Sequence, residues 1–428
     1  MEENNQPEWV CGKRINEMKC AREYIQATNL VYSDGAFFTQ DGRITDETQI
    51  RKEIYDAISP HITTNIVRRV DNIMSVLRLE AHRENFDKDT TVMHFKNGTY
   101  DLNNGFVQQK FPCRYRLPVN LNMNAPDPTK WLTFLDQLLE PADIVTLQEF
   151  MGYCLIPTTK AQKMLIITGR GGEGKSRIGV VMKSLLGDCM NVGSIAKVET
   201  NAFARADLEH ILLLVDDDLK MEGLPGTNYL KSIISAELPM DLERKGKQSY
   251  QGKLHCRFMA FGNGSLQALN DRSHGFFRRQ IILEAKPRPA DRVDDPFLAQ
   301  ALQKEAEGIL LWALKGLFRL IEQDFQFTVS KKASNNLRDA VLQSNNIVAF
   351  MQSEGYFIMG GDGMVTSRRL YQVYLEWCED NMSQPLNTSA FWNYFKQEAS
   401  FYGLKPSNHI PIGGGREARG FIGMRILR

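Results

Sequence analysis

The chain has 428 residues, 43% of them hydrophobic and 24% charged, with 52 Lys and Arg against 51 Asp and Glu. That composition belongs to an ordinary folded protein and excludes a disordered, collagen-like or disulfide-scaffold chain. The formal net charge of +1 means that any surface for nucleic acid has to be local. At roughly 150 residues per domain the length sets an expectation of about three domains. The seven cysteines never fall in a CxxC pair, which removes zinc-knuckle and thioredoxin-like readings and fits a reducing compartment. Apolar runs such as 163–168 and 211–215 are strand-sized, far short of the ~20 residues of a membrane span. The polar start, Met1-Glu2-Glu3, is unlike a signal peptide, so a cytoplasmic protein is expected.

Up to about residue 90 the pattern is helical, with 46–58 and 62–81 placing apolar residues such as Ile66, Val70, Ile73 and Leu77 at three-to-four spacing. The period then changes. Val92 to Phe95, Asn97-Gly98, Thr99 to Leu102 and Asn104-Gly105 predict a small sheet over 92–110 with Asn-Gly turns. Pro126-Asp127-Pro128 predicts a joint, and helices are expected over 131–139 and 142–154. From 163 to 288, strand-sized runs alternate with helical stretches, the mark of an α/β sheet. A long amphipathic segment over 297–326, a linker over 325–334 and a last domain ending in glycine-rich sequence complete the chain. The expected domains are 1–126, 127–326 and 327–428.

Gly169-Arg170-Gly171-Gly172-Glu173-Gly174-Lys175-Ser176 fits G-x-x-x-x-G-K-[ST] between an expected strand and an expected helix that opens with Arg177. This is the P-loop pattern, which predicts ATP bound with Mg²⁺. Glycines let backbone N–H groups converge on phosphate oxygens, and the helix N-terminus adds partial positive charge. Lys175 is expected at the β and γ phosphates and Ser176 on Mg²⁺. Ile211 to Val215 then runs into Asp216-Asp217-Asp218, a buried strand ending in acids, as a Walker B strand does. Asp216 is the expected metal ligand and Asp217 the group that positions water. A third apolar strand ends at Asn263, expected near the γ phosphate or the lytic water. Arg278 and Arg279, just ahead of a fourth strand, suit an arginine finger delivered to a neighbouring subunit.

In this order, within about 110 residues, these motifs resemble a superfamily 3 helicase. More closely, 97–102 through Trp131, 147–155 and the P-loop resemble the phage and plasmid primase-helicase family, related to the poxvirus primase-helicase. The likeness covers about 92–325, with a fainter tail. It implies an AAA+-like α/β P-loop NTPase core assembled as a ring, expected to be a hexamer, around DNA. ATP sites then lie at subunit interfaces, with Lys175 and Asp216 acting in cis and Arg278 or Arg279 in trans. The resemblance also implies a hairpin that puts a lysine on DNA. Arg244-Lys245-Gly246-Lys247 is the matching stretch, with glycine where that family often has histidine.

Read from charge alone, 241–260 holds five Lys and Arg against two acids, and 401–428 five against one. Both are local basic patches suited to phosphate contacts. Two amphipathic helices and a basic hairpin in the tail suggest a winged helix, or else a protein-interaction domain. The expected function is an ATP-dependent replicative DNA helicase of a phage, plasmid or other mobile element. An origin-binding initiator or remodelling ATPase is the alternative, and a small-molecule P-loop kinase is disfavoured by the basic hairpin. Neither cysteine-ligand spacing nor a convincing D-x-D carboxylate pair supports primase chemistry in the first domain, so a separate primase is an expected partner.

Overall fold

The computed structural model describes residues 6–427 apart from 13, 85, 220–223, 225, 247, 263–273, 290–292, 294 and 345. In the amino-terminal part, helices Glu17–Thr28, Thr48–Ile58 and Ile66–Glu80 bury Ile50, Ile54, Ile58, Val70, Ile73 and Leu77 together. Those positions recur every three or four residues, so each helix offers one apolar stripe. Between the first two helices lies a three-stranded antiparallel sheet, Val31–Ser33, Ala36–Thr39 and Gly42–Arg43, within the stretch expected to be helical. Its first turn explains the difference. Asp34 and Gly35 have φ of 48° and 78°, the left-handed pair that a tight hairpin needs and that Asp-Gly favours.

The second small sheet has the order Gly105–Val107, Gly98–Asp101, Val92–Phe95, Arg116–Leu117. A Cβ at Gly98 would lie 2.4 Å from the Val107 carbonyl oxygen, so only glycine fits this crossing. Met93, Phe95 and Leu117 share a core with Trp131, Phe134 and Phe150 of helices Thr129–Leu138 and Pro141–Tyr153. The boundary expected at 126 therefore falls inside one core, and the packing break lies between Ala81 and Val92. Side chains brought together by tertiary packing set that limit, whatever the Pro126-Asp127-Pro128 composition suggests.

The central sheet has five parallel strands, β1 (Met164–Thr168), β2 (Met190–Val192), β3 (Leu213–Leu219), β4 (Arg257–Gly262) and β5 (Gln280–Glu284), in the order β2-β3-β4-β1-β5. Ile166 of β1 pairs with Ala260 on one side and Ile282 on the other. Both faces are covered. Leu165, Ile167 and Val215 pack on helix α1 (Ser176–Leu186), while Ile166 and Leu214 face Ile195 and Ile233. Burial on two sides is why these strands read as continuous apolar runs. In open parallel sheets, ligands bind at the carboxyl ends of the strands, and the glycine-rich loop leaves β1 there.

Helices Pro141–Tyr153 and Ala306–Glu322 cross at glycines: a Cβ at Gly152 would be 2.4 Å from Ala313 O, and one at Gly316 2.3 Å from Gln148 O. Nearby, the fully buried Glu149 accepts from Arg319 Nε at 2.6 Å and from Thr328 N at 2.7 Å. The expected linker over 325–334 is thus docked, with Phe325 and Phe327 on the core. Helix Lys331–Ser344 follows, and Asn336 Nδ2 donates to the Ile282 carbonyl of β5 at 3.1 Å. The last unit therefore begins near 346 rather than 327. It runs helix Asn346–Met351, strand Phe357–Thr366, helices Ser367–Asp380 and Thr388–Ala399, then the hairpin Lys405–Gly413 and Arg416–Ile426. The first of its strands pairs with the last, over a core of Phe350, Tyr374, Phe391 and Phe421. No described helix is long and apolar enough to cross a membrane.

Candidate nucleotide site and basic hairpin

After Thr168 the backbone turns through Gly171, Gly172 and Gly174, with φ of 102°, 82° and 99°, values that residues with a Cβ rarely adopt. At Gly169 a Cβ would stand 2.6 Å from Lys175 Nζ and 2.9 Å from the Glu173 carboxylate, so a larger residue would displace those side-chain ends. Beside the loop opens a cleft of about 780 Å³, lined by 171–177, Asp217, Asp218, Gly262 and Arg288. It therefore contains Gly171, Gly172, Glu173, Gly174, Lys175, Ser176 and Arg177. Gly169 and Arg170 lie outside its lining, and Arg170 contributes its backbone N–H.

That N–H has a partner. The Glu173 carboxylate turns back into the loop, where Oε1 accepts from Arg170 N and, at 2.9 Å, from Gly171 N. Its Oε2 accepts from Lys175 Nζ at 2.7 Å. Glu173 is 2% exposed and Lys175 7%. Burial alone pushes this carboxyl up, but the bonds from Lys175 and the loop N–H groups outweigh it and hold it below the ordinary carboxylate value.

The three aspartates separate by strand parity. Val215 packs on the α1 side of the sheet and Leu214 on the other, so Asp216 falls on the face away from the loop. Its Oδ2 accepts from Ile195 N at 2.8 Å. Burial, then its acidic neighbours, raises its carboxyl above the usual value in spite of that bond. Asp217, on the opposite face, and Asp218 are exposed and line the cleft; they fall within a register irregularity between Asp216 and Leu219, where the strict alternation breaks. Asp216, the expected metal ligand, thus lies outside the cleft lining with its carboxylate on Ile195 N, and the two following aspartates line the cleft. Asn263 lies outside the described residues, although Gly262 before it reaches the cleft.

Arg278 and Arg279 sit at the amino end of β5, the opposite end of the sheet from the loop. Strand β5 separates them from the cleft by roughly 16 Å at ~3.3 Å per residue. Arg279 is engaged within the chain, with Nη1 donating to Gly275 O at 2.5 Å and Nη2 to Ser235 Oγ at 2.8 Å. The Arg278 side chain is exposed. Sequence reading missed Arg288, whose Nη1 lies 3.5 Å from where a Cβ of Gly172 would be. Its only signal was a basic residue four positions past the carboxyl end of a parallel strand.

The basic stretch is a hairpin: Met240–Leu242 pairs antiparallel with Tyr250–Gly252, and Gly246 near the tip has φ of 74°. Lys245 is exposed. Arg244 instead donates through Nη2 to Glu209 Oε2, which also accepts from the Tyr250 hydroxyl at 2.6 Å. Burial, then Glu209, pushes that hydroxyl up to about 12. Arg244, in the turn that follows Leu242, is therefore half-buried and paired with Glu209, which does not suit the DNA contact expected of it. Lys247 lies outside the described residues.

Residues 9–140 match the D5 N terminal like family, and 167–279 match a family of unknown function, DUF5906. Solved apo structures of the NrS-1 C-terminal region share the fold. One, of its residues 305–718, has a TM-score of 0.56 at 11% identity, covering 95% of this chain and 99% of that one. Another has a TM-score of 0.52 at 12% identity, covering 91% and 88%. With these structures the likeness is one of fold. The D5 N terminal like match begins at residue 9, well ahead of residue 92, where the resemblance read from the sequence starts. The hairpin and the loop both fall within the second match, and the unit from 346 onward falls outside both.

Proposed function

We propose that this chain is an ATP-dependent DNA helicase of the superfamily 3 kind, working as a ring of identical subunits with ATP at their interfaces. The observation that carries the reading is the cleft, in which the loop N–H groups, Lys175, Ser176 and two strand-end aspartates converge. A hydroxyl and carboxylates in one water-open cleft are the hard-oxygen set that suits Mg²⁺, which keeps most of its waters. Ser176 and Asp217 would hold it, with Asp218 adjacent, and Mg²⁺ there would supply charge neutralisation on the β and γ phosphate oxygens.

The chain's own residues do the rest. Lys175 and the loop N–H groups hold the phosphates through charge-assisted hydrogen bonds, and an Asp217 or Asp218 carboxylate orients the attacking water. Arg278 is the better finger of the pair, because it is exposed and too far from its own cleft, while Arg279 is engaged inside the chain. DNA would meet Lys245 at the hairpin tip. The proposed partners are DNA, further copies of this chain and a separate primase.

A winged helix is the proposed reading of the last unit, supported by its helix, strand, two helices and hairpin. A groove of about 500 Å³ there, lined by Trp392, Lys396, Arg419 and Phe421 among others, favours the second reading, an origin-binding initiator that melts DNA without processive unwinding. Strand displacement on a forked duplex separates the two. The helicase reading expects ATP-dependent unwinding that Lys245→Ala abolishes, and duplex binding with no unwinding by the assembled protein contradicts it.

A further inference from the structure

The donors that a P-loop offers to phosphate are already in use. Arg170 N, Gly171 N and Lys175 Nζ all point at the Glu173 carboxylate, with 2.9 Å to Gly171 N and 2.7 Å to Lys175 Nζ. A carboxylate presents two anionic oxygens on one atom, as the edge of a phosphate does, and accepts the same convergent N–H donors. The two anions cannot share one set of donors. We propose that Glu173 is a resident anion which the incoming phosphate chain must displace, so that this one side chain sets the nucleotide affinity of the site.

This inference rests on the nucleotide reading and concerns the regulation of the same cleft. Its means of release is local. Glu173 stands between Gly172 and Gly174, both in the left-handed region, where glycine lets the backbone reorient without a Cβ clash. Arg177 and Arg288 line the same cleft and are cations able to receive the displaced carboxylate. The contrary role is a brace: by bonding Arg170 N and Gly171 N, Glu173 would hold the loop in its binding shape. The two roles predict opposite signs on removal, because the latch weakens nucleotide binding and a brace strengthens it.

The test uses the full chain as wild type, Glu173→Gln, Glu173→Ala and Lys175→Ala. Anisotropy of N-methylanthraniloyl-ATP with Mg²⁺ gives the affinity, and amide hydrogen exchange at Arg170 and Gly171 follows the contact itself. Both Glu173 variants are expected to bind on the order of tenfold more tightly, the worth of about one charge-assisted hydrogen bond, and to exchange faster at both amides. Equal or weaker binding by both, while wild type binds and Lys175→Ala does not, overturns the latch. If no protein binds the probe, or Lys175→Ala binds as wild type does, the nucleotide reading fails. Exchange then judges the contact alone: unchanged exchange in Glu173→Ala overturns it, and faster exchange supports the resident anion.

Discussion

Asp216→Asn and Asp217→Asn differ by one position in the chain and should differ by orders of magnitude in effect. Neighbouring strand residues point to opposite faces, and here Asp217 lines the cleft while the Asp216 carboxylate accepts from Ile195 N at 2.8 Å behind the sheet. In Asp217→Asn the shape is kept and a negative charge beside the proposed Mg²⁺ and water positions is lost. Removing one such preorganised group costs about 10²–10³ in turnover, or ~3–4 kcal/mol of transition-state stabilisation. In Asp216→Asn the amide oxygen still accepts the Ile195 N–H, and a buried charge is removed. Turnover should change by less than about tenfold, within ~1.4 kcal/mol. The assay is steady-state phosphate release by the assembled protein with saturating Mg-ATP. Near-complete loss in Asp216→Asn, with turnover retained in Asp217→Asn, would refute the assignment by strand parity.

Three further expectations concern other parts of the chain. Gly152→Ala puts a Cβ 2.4 Å from Ala313 O and 2.5 Å from Leu317 N on the facing helix; backbone cannot yield as a side chain does, so a loss of about 1–3 kcal/mol or more is expected in denaturant unfolding, and an unchanged midpoint contradicts it. His210 is 3% exposed, and burial first, then the charges of Arg43, Arg114 and Arg244, pushes its imidazole from 6.5 down to about 3. Protons therefore favour the unfolded chain below pH 6.5, and stability falls on acidification with a slope approaching ~1.4 kcal/mol per pH unit. His210→Leu should flatten that slope, and an unaltered pH profile speaks against it. Arg279→Ala should lower the unfolding midpoint by removing its bonds to Gly275 O and Ser235 Oγ. Arg278→Ala should leave folding alone and cut turnover only in assembled protein, which calorimetry and phosphate release at several protein concentrations can distinguish.

The parts of this molecule that the sequence makes legible are those fixed by local chemistry. The loop is one: its glycines, Lys175 and Ser176 are contiguous, and their conformation follows from backbone sterics. The hairpin is another, because Gly246 and the flanking residues settle it nearby. What needed the fold is whatever depends on a distant partner. Arg244 looks like a DNA contact until Glu209, 35 positions earlier, takes its charge. Asp216 and Asp217 are equivalent as letters and separated only by which face packs on α1. Arg288 belongs to no motif and enters the cleft because β5 lies beside β1. One miss was avoidable, since Asp34-Gly35 is a hairpin signal that the helical periodicity around it overshadowed.

The central claim is that a nucleoside triphosphate is bound and hydrolysed at the loop between β1 and α1. Phosphate release from Mg-ATP by wild type and Lys175→Ala, each with and without forked DNA, tests it most directly. The account predicts turnover by wild type that DNA stimulates, and loss of that turnover in Lys175→Ala. Equal turnover by the two proteins, or none by wild type in the assembled state, would contradict it.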